Sequence, residues 1–335
     1  VILAGIVYDS PDKMFVGMLN NNLSIDWLKT INVPSTPVKV VLDYAEGGNI
    51  VAAAQLGTGI VYSGFNATGA QLWDRQSSPA GLNELVGIGH TDFGESSILT
   101  NCTRSGFKVA EHLVVNQSTG VTISVHTIGT TDELEYGKVS SSSNRVVFTG
   151  ILKNSSGQFS LKRDITYNSS PTEVTHHYTI PGFVDFNTTA SSDNVGDALG
   201  YCFPQQGRFV FIRHFAAYQT SPDFTKLYAV PVGSQIKSIT RSFIDGGFLF
   251  AFNSQDSSEF ILMKTDSIGT LPGCGFQSIT NTSTEILAGA NTVSSFPSNV
   301  LSAPPTSAAL SVTSASLTSV ADCSVMYCPS IPVAD

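Results

Sequence analysis

The chain has 335 residues, of which only 13% are charged, and a formal net charge of −9. This length can bury a large core in one all-β repeat domain. Only 17 lysines and arginines are present and no run approaches the ~18 apolar residues of a membrane helix, so we expect neither a nucleic-acid partner nor a membrane span.

The first two units along the chain share a pattern of apolar runs separated by polar turns. The N-terminal unit has three short apolar runs, the last of which ends at Trp27. A fuller unit at residues 38–75 contains the turn Gly47-Gly48 and ends with Trp73. Trp73 lies 46 residues after Trp27, close to the length of a four-stranded propeller blade. The chain therefore begins partway through a repeat.

Four further units follow, which we place at residues 85–127, 134–180, 182–231 and 236–274. The first of them lacks a Gly-Gly pair, whereas the last contains Gly246-Gly247 in the same context as the earlier pair. Glycine supplies the positive φ that a tight hairpin turn needs, and the flanking residues favour a pleated surface. Helical periodicity is nearly absent, which predicts an all-β fold with almost no helix.

Six twisted sheets in series bury both of their faces most simply by radial closure. The sequence thus predicts a β-propeller of six or seven four-stranded blades at residues 1–290 and an extended tail at residues 291–335. A propeller ring is commonly sealed by a C-terminal strand that completes the N-terminal blade. We expect residues 284–288 to be that strand.

Two motifs carry a family resemblance. The segments EGGNIVA at 46–52 and DGGFLFA at 245–251, the latter followed by ILMKTDSIG at 261–269, resemble the DGG…KTD..G repeat of secreted β-propeller proteins. That family is found on the surfaces of bacteria and protists, and it also has a Cys followed by a Ser/Thr/Val-rich tail. The resemblance implies an extracellular propeller, usually without a known enzymatic activity, and carries over no catalytic residue.

Glycosylation sequons and cysteines also favour an extracellular, secreted or cell-surface location. We expect N-glycans at the eight Asn-x-Ser/Thr sequons, which are Asn22, Asn66, Asn101, Asn116, Asn154, Asn168, Asn187 and Asn281. The disulfide candidates are Cys102, Cys202, Cys274, Cys323 and Cys328. No paired CxxC motif is present, so disulfides are expected rather than zinc, with Cys274 tied to Cys323 or Cys328. The chain starts at Val1, as a processed mature chain would.

Catalytic chemistry has weak support in the sequence. A glycosidase-like enzyme, our second alternative, needs two carboxylates across a cleft, and the available pairs are Asp92 with Glu95 and Asp193 with Asp197. Both pairs lie in turns, where aspartate commonly accepts backbone hydrogen bonds. The histidines are isolated or alternate across a strand. We therefore predict no catalytic residue, no metal site and no cofactor.

The tail supplies the functional hypothesis. Residues 307–320 alternate small polar residues with Ala, Leu and Val, which indicates extended strand that can add to the sheet edge of a neighbouring subunit. The alternative for this segment is an O-glycosylated linker. We thus predict a non-enzymatic structural subunit of an extracellular coat or filament, with partners that are further copies or other extracellular glycoproteins. The first alternative is a monomeric glycan- or protein-binding propeller.

Overall fold

The computed structural model describes residues 2–8, 12–20, 24–45, 48–129, 133–142, 145–153, 159–166, 174–179, 187–193, 196–215, 221–242, 245–255 and 260–271, and the short strands 277–278, 282–287, 292–293 and 306–307. Within these residues the regular structure is strand, apart from one turn of 3-10 helix at Pro204–Gln206. The predicted all-β class is confirmed. No helix in this part of the chain is long and apolar enough to cross a membrane.

The strands form six antiparallel sheets in which consecutive strands are neighbours. The first sheet contains β1 (Ile2–Val7), β2 (Lys13–Leu19), β3 (Ile25–Asn32) and β26 (Thr306–Ser307). The second contains β4 (Lys39–Tyr44), β5 (Ile50–Gln55), β6 (Ile60–Phe65) and β7 (Gln71–Ser77). The third contains β8 (Leu82–Thr91), β9 (Glu95–Arg104), β10 (Phe107–Asn116), β11 (Thr122–Ile128) and β25 (Thr292–Val293).

The remaining three sheets follow the same meander. The fourth contains β12 (Glu133–Ser142), β13 (Arg145–Lys153), β14 (Phe159–Thr166), β15 (Val174–Thr179) and β24 (Thr282–Leu287). The fifth contains β16 (Asn187–Asp193), β17 (Gly196–Phe203), β18 (Arg208–His214), β19 (Phe224–Ala229) and β23 (Gln277–Ser278). The sixth contains β20 (Gln235–Arg241), β21 (Phe248–Asn253) and β22 (Phe260–Thr265).

The arrangement is a β-propeller, as predicted, but the blade number is five. Five of the six sheets have four or more strands, whereas the sixth has three among the described residues. The prediction of six or seven four-stranded blades is therefore wrong. The next described strand after β22 is β23, which pairs with β19 of the preceding sheet rather than with β22.

The chain divides into two compact units, which are Val1–His177 with Glu285–Ala309 and Tyr178–Thr284 with Leu310–Asp335. Within the first unit the first strands of successive sheets touch, β1 against β4, β4 against β8 and β8 against β12. Within the second unit β16 touches β20 in the same way. The predicted boundary at residue 290 stays a prediction.

The core consists of apolar layers between successive sheets. Strand β5 is buried on both faces, because Ile50, Ala52 and Ala54 pack towards the first sheet while Val51 and Ala53 pack towards the third. This two-sided burial explains why the run at 50–54 is continuously apolar rather than alternating.

The layer between the fifth and sixth sheets is rich in phenylalanine. Phe211 stacks edge to face on Phe248 and Phe250, with both ring centroids 4.9 Å away. Phe209 contacts Phe250 and Phe252 in the same geometry, with centroids 5.1 Å apart. Edge-to-face pairs are favourable beyond the area that they bury. This layer fixes the two sheets of the second unit against each other.

An aromatic donor from one sheet reaches a turn in the next sheet at three equivalent places. These hydrogen bonds are Trp27 Nε1 to the Ala67 carbonyl at 3.0 Å, Trp73 Nε1 to the Gln117 carbonyl at 2.7 Å, and Tyr228 Oη to the Gly269 carbonyl at 2.5 Å. The predicted correspondence between Trp27 and Trp73 is thus confirmed in structural terms. We call these three contacts the aromatic latches.

The turns that receive the latches have one design. The Oδ1 atom of Asn66 accepts the backbone N–H groups of Thr68 and Ala70, at 3.0 and 2.9 Å. Asn116 and Asp266 accept backbone N–H groups in the same way. Asx turns of this kind tie a short loop without needing a second strand. The KTD..G motif is therefore the strand end and latch turn of its sheet.

The paired glycines are only partly as predicted. Gly48 and Gly246 have positive φ, at 82° and 69°. The Gly48 N–H donates to the Ala45 carbonyl, and the Gly246 N–H donates to the Ser242 carbonyl. Gly247 does not have positive φ, although a Cβ there would collide with the Thr265 carbonyl oxygen. Gly47 lies outside the described residues. The structural equivalents are thus Gly48 and Gly246, since the later turn is one residue longer.

The strand that completes the N-terminal sheet also differs from the prediction. Residues 284–288 overlap β24, which pairs with β15 in the fourth sheet. The first sheet is completed instead by β26, where Thr306 pairs with Thr30 and Ser307 with Lys29. The principle of C-terminal completion holds, but a segment in the predicted tail performs it.

The latches yield a stability prediction. Gly120 has a φ of 65° and a Cβ there would lie 2.5 Å from the Trp73 ring, whereas Gly94 has a φ of 75° and open space around the Cβ position. Alanine at either position would have the same kind of backbone strain, because both glycines have positive φ. The two variants therefore differ in the collision with the Trp73 ring, which only Gly120→Ala would cause. We expect Gly120→Ala to lower the free energy of unfolding by at least ~1 kcal/mol more than Gly94→Ala in chemical denaturation. Equal losses would contradict the latch.

Candidate functional site

Asn101, a predicted glycan acceptor, is used inside the fold. Its side chain is 4% exposed, its Nδ2 donates to the Tyr136 carbonyl at 2.7 Å, and its Oδ1 accepts the Tyr136 N–H at 3.0 Å. The carboxamide thus satisfies both backbone groups of one residue on the first strand of the next sheet. A glycan on Nδ2 would replace one of its two N–H groups and would need space beside a residue that is 4% exposed, so it conflicts with this packing.

Asn187 makes the same contact in the second unit. Its Nδ2 donates to the Ile236 carbonyl at 2.6 Å, and its Oδ1 accepts the Ile236 N–H at 3.1 Å. Because both amides are engaged in these contacts, we expect Asn101 and Asn187 to be unglycosylated in the folded chain, unlike the other predicted sites. In the folded chain both asparagines hold two sheets together.

Gln55 completes the set, and we call the three contacts the amide clamps. Its Nε2 donates to the Asn83 carbonyl at 3.0 Å, and its Oε1 accepts the Leu85 N–H at 2.9 Å. All three target strands, β8, β12 and β20, have a register shift at or next to the clamped residue. A bulge disrupts the local ladder, and a carboxamide offers a donor and an acceptor together.

The other sequons divide into two groups. Asn66 and Asn116 lie in the latch turns, half-buried, where their Oδ1 atoms accept hydrogen bonds and Nδ2 takes part in none of those bonds. Glycosylation at these two positions is compatible with the fold and stays a prediction. Four sequons lie outside the described residues, namely Asn22, Asn154, Asn168 and Asn281.

Two of the five predicted disulfide cysteines can be assessed. Cys102 and Cys202 are buried free thiols. The Cys202 Sγ donates to the Ser234 carbonyl at 3.1 Å, and burial raises the pKa of this thiol to about 12. Burial also raises the pKa of Cys102. A buried thiol of high pKa is a poor nucleophile. Cys274, Cys323 and Cys328 lie outside the described residues, so the tail bridge stays a prediction.

Three polar side chains that the sequence reading did not single out meet in the first unit. His90 Nδ1 lies 2.6 Å from the Asp43 Oδ2, and the Ser141 hydroxyl lies 3.3 Å from both atoms. Each residue comes from the end of a first strand, β4, β8 or β12. The His90 and Asp43 side chains keep 13% and 21% of their surface exposed, so solvent reaches the cluster.

The cluster has the residue types of a nucleophilic triad but not its arrangement. In a triad the serine and the carboxylate contact opposite nitrogens of the imidazole, so that the ring can accept the hydroxyl proton. Here Asp43 and Ser141 share Nδ1. The cluster therefore ties three successive sheets together and does not present Ser141 as an activated nucleophile.

Spacing is the signal that could have found this cluster. His90 follows Asp43 by 47 residues, and Ser141 follows His90 by 51 residues. Both intervals are close to one blade, so the three residues occupy one repeat position. A search for polar residues about one blade apart, with an interval of 46 to 51 residues allowed, would have grouped them.

Of the predicted carboxylate pairs, only Asp92 lies in a turn, and it is exposed. Glu95 is the first residue of β9 and is half-buried, and burial raises the pKa of its carboxyl group. Asp193 ends β16 and Asp197 lies at the start of β17, so this pair belongs to strands and not to a turn as expected. Asp197 is fully buried beside the short turn that joins β16 to β17. Across the described ranges no three His, Cys, Asp or Glu residues are close enough to hold one metal ion.

His112 is the most perturbed ionisable group in the first unit. Its ring is fully buried, packs on Phe148 with centroids 5.0 Å apart, and its Nε2 lies 2.9 Å from the Ser97 hydroxyl. Burial, followed by the nearby His126, lowers the pKa of His112 to about 3. The imidazole is thus neutral at physiological pH and forms part of the core.

Comparisons with known proteins identify no family. No family model matches the chain, and no curated protein matches it. Among solved structures it is similar to Kuenenia stuttgartiensis hydrazine synthase, with a TM-score of 0.48 and 11% identity over 76% of this chain and 80% of that one. An uncharacterised protein from Listeria monocytogenes EGD-e matches with a TM-score of 0.37 and 8% identity, over 75% and 85% of the two chains. A GH43_1 enzyme from Xanthomonas citri matches with a TM-score of 0.32 and 9% identity, over 70% and 89%. Similarity at this level assigns no activity.

The amide clamps predict which sequons carry glycans. We expect glycans at Asn66 and Asn116 and none at Asn101 and Asn187, since the latter two amides are committed to backbone partners. Enzymatic deglycosylation in heavy-oxygen water, followed by peptide mass mapping, marks each occupied asparagine. A stoichiometric glycan at Asn101 or Asn187 in folded protein would refute the clamp at that site.

His112 predicts a specific loss of stability in acid. The unfolded chain takes up a proton near the ordinary histidine pKa of ~6.5, whereas folded His112 resists protonation down to about 3. The contribution of neutral His112 to the free energy of unfolding is therefore fully present above about pH 6.5 and is lost as the pH falls towards 3. We expect His112→Phe to have a flatter curve of unfolding free energy between pH 7 and 4. Parallel curves for variant and parent would contradict this interpretation.

Proposed function

We propose that this protein is a non-enzymatic extracellular glycoprotein that serves as a structural subunit of a surface coat or filament, assembled through propeller and C-terminal tail contacts. One observation carries the proposal. Residues from the C-terminal part of the chain add as outermost strands to four sheets, as β23 on β19, β24 on β15, β25 on β11 and β26 on β3. This part of the chain thus binds sheet edges through its backbone.

The same mode of binding can extend to other copies. Residues 308–320 follow β26 and contain no charged side chain. Charges are a common device that prevents strands from adding to exposed edges, and none is present in this segment. An uncharged segment with strand patterning, which follows four strands that already bind edges, is suited to β-strand addition.

Composition and sequons support the extracellular part of the proposal. Few ionic side chains are available for the surface, and the latch turns offer two half-buried asparagines in sequons. The polar cluster of Asp43, His90 and Ser141 supports a non-enzymatic role, since its hydroxyl lacks the geometry of a nucleophile.

A truncation series tests the assembly. Deleting residues 308–335 preserves β26 and hence the completed first sheet, so the truncated chain should melt as the parent does but remain monomeric. Size-exclusion chromatography and electron microscopy of the glycosylated proteins at matched concentration measure the difference. We expect ordered polymers from the full chain only.

A shorter deletion is the matched control. Removing residues 321–335 takes away Cys323 and Cys328 but keeps the uncharged 308–320 segment, so assembly should persist. If removing residues 321–335 alone abolishes assembly, then assembly depends on the cysteines and not on the 308–320 segment. A full-length chain that stays monomeric at high concentration would reject the proposal and favour the glycan- or protein-binding module.

A further inference from the structure

A groove opens between the third and fourth sheets, beside the clamp that Asn101 forms with Tyr136. Its volume is about 510 Å³, and residues of β8, β9, β10 and β12, all in the first compact unit, line it. Small-molecule sites in proteins have volumes of roughly 300–1,000 Å³. Asn101 and Leu134 line the groove from the two sheets and are 4% and 1% exposed. The groove therefore has room for a small ligand and a fixed framework.

The lining of this groove is mostly polar. It includes two carboxylates, an ammonium group, a carboxamide and a hydroxyl group, which belong to Glu84, Glu135, Lys108, Asn83 and Thr103. Sites for apolar ligands are instead lined mainly by hydrophobic and aromatic side chains. The groove thus favours a hydrophilic ligand.

The charges at the groove are already paired. Lys108 Nζ lies 2.6 Å from Glu135 Oε2, and Lys39 Nζ lies 2.6 Å from Glu84 Oε1. These four side chains are between 35% and 48% exposed, so water also screens them. Two balanced and screened ion pairs attract a further ion only weakly. The ligand that this groove suits is therefore polar but uncharged.

A β-bulge presents one of the polar side chains. Asn83 is the extra residue of β8 between Leu82 and Glu84, which both have ladder partners on β9. Bulges are over-represented next to functional sites, where they redirect a side chain. The Asn83 Nδ2 donates to the Thr103 hydroxyl oxygen at 2.7 Å, which orients the carboxamide. The local backbone thus holds Asn83 ready to bind a ligand.

Donors and acceptors both remain for a ligand in the described part of the chain. A carboxylate has about four acceptor positions and an ammonium group has three donors, and the ion pairs use one position of each. The carbonyl oxygen of the Asn83 side chain takes no part in the bond to Thr103, and the Thr103 hydroxyl acts there as the acceptor and keeps its own hydrogen. A hydroxyl group both donates and accepts. A ligand with several neighbouring hydroxyl groups matches this mixed set.

We propose that this groove binds a small neutral saccharide through hydrogen bonds from Asn83, Thr103 and Lys108 on the third sheet and from Glu135 on the fourth. The residues that line the groove include no aromatic ring, so hydrogen bonds rather than stacking hold the sugar. We therefore expect a dissociation constant on the order of millimolar. This inference goes beyond the proposed function, because sugar binding does not require assembly.

A sugar titration is the first test. The full-length chain, freed of its own N-glycans, is titrated with glucose, galactose, mannose, N-acetylglucosamine, cellobiose and lactose, and binding is measured by saturation-transfer NMR and calorimetry. Glucuronate and protonated glucosamine are charged analogues of glucose. We expect a neutral sugar to bind and neither charged analogue to bind more tightly than glucose. Tighter binding of a charged analogue, or no binding of any neutral sugar, would overturn the proposal.

Side-chain replacement is the second test and locates the site. Lys108→Met removes a donor from the groove but keeps a long side chain. Lys264→Met is the matched control, because Lys264 forms a similarly exposed ion pair of 2.7 Å with Asp245 in the sixth sheet. We expect Lys108→Met to weaken sugar binding by about tenfold and Lys264→Met to leave it unchanged. Both variants should show similar small shifts in melting temperature, since exposed ion pairs contribute little to stability.

Asn83→Ala is a second groove variant and should also weaken sugar binding several-fold. If sugar binds the parent and both groove variants equally well, the site lies elsewhere and the proposal is wrong. If Lys264→Met weakens binding as much as Lys108→Met does, the effect is not local and the assignment fails as well.

The outcomes distinguish this inference from the proposed function. Assembly is measured on the same proteins by size-exclusion chromatography. A parent chain that binds sugar but stays monomeric supports the groove and rejects the proposed function. A parent chain that assembles but binds no neutral sugar rejects the groove and leaves the proposed function standing.

Discussion

The fold depends on how the first strand of each sheet satisfies its backbone. A buried N–H or C=O without a partner costs as much as a lost hydrogen bond, and a bulge creates such groups. Carboxamides from the preceding sheet supply both partners at β8, β12 and β20. An aspartate in place of Asn101 offers no donor to the Tyr136 carbonyl, so residue type follows directly from the geometry. The clamps thus set the register between successive sheets.

Successive sheets are held near both ends of the blade by different chemistry. Each amide clamp binds the first strand of the next sheet, while the aromatic latches join the last long strand of one sheet to an Asx turn of the next. The sequon triplet therefore has two structural uses. In Asn66 the oxygen forms the turn and the nitrogen takes no part in it, whereas in Asn101 both atoms bind the next sheet. Identical sequence letters lead to opposite expectations for glycosylation.

Local patterns in the sequence predicted strands, turns and the equivalence of Trp27 and Trp73, because these follow from side-chain period and turn chemistry. Pairing between distant short segments was not predictable. Thr306–Ser307 and Gln277–Ser278 are two-residue strands, too short for any periodicity, so neither the blade number nor the closing strand could be read. The Asp43–His90–Ser141 cluster was missed because its members are a blade apart, and no local motif joins them.

The C-terminal part of the chain stabilises several sheets by covering their edges. Exposed edges invite uncontrolled pairing, and this chain covers four of its sheets with strands from its C-terminal part. Three of the added strands, β23, β25 and β26, have only two residues and protect an edge with few hydrogen bonds, whereas β24 has six residues and is as long as the strands of the main sheets.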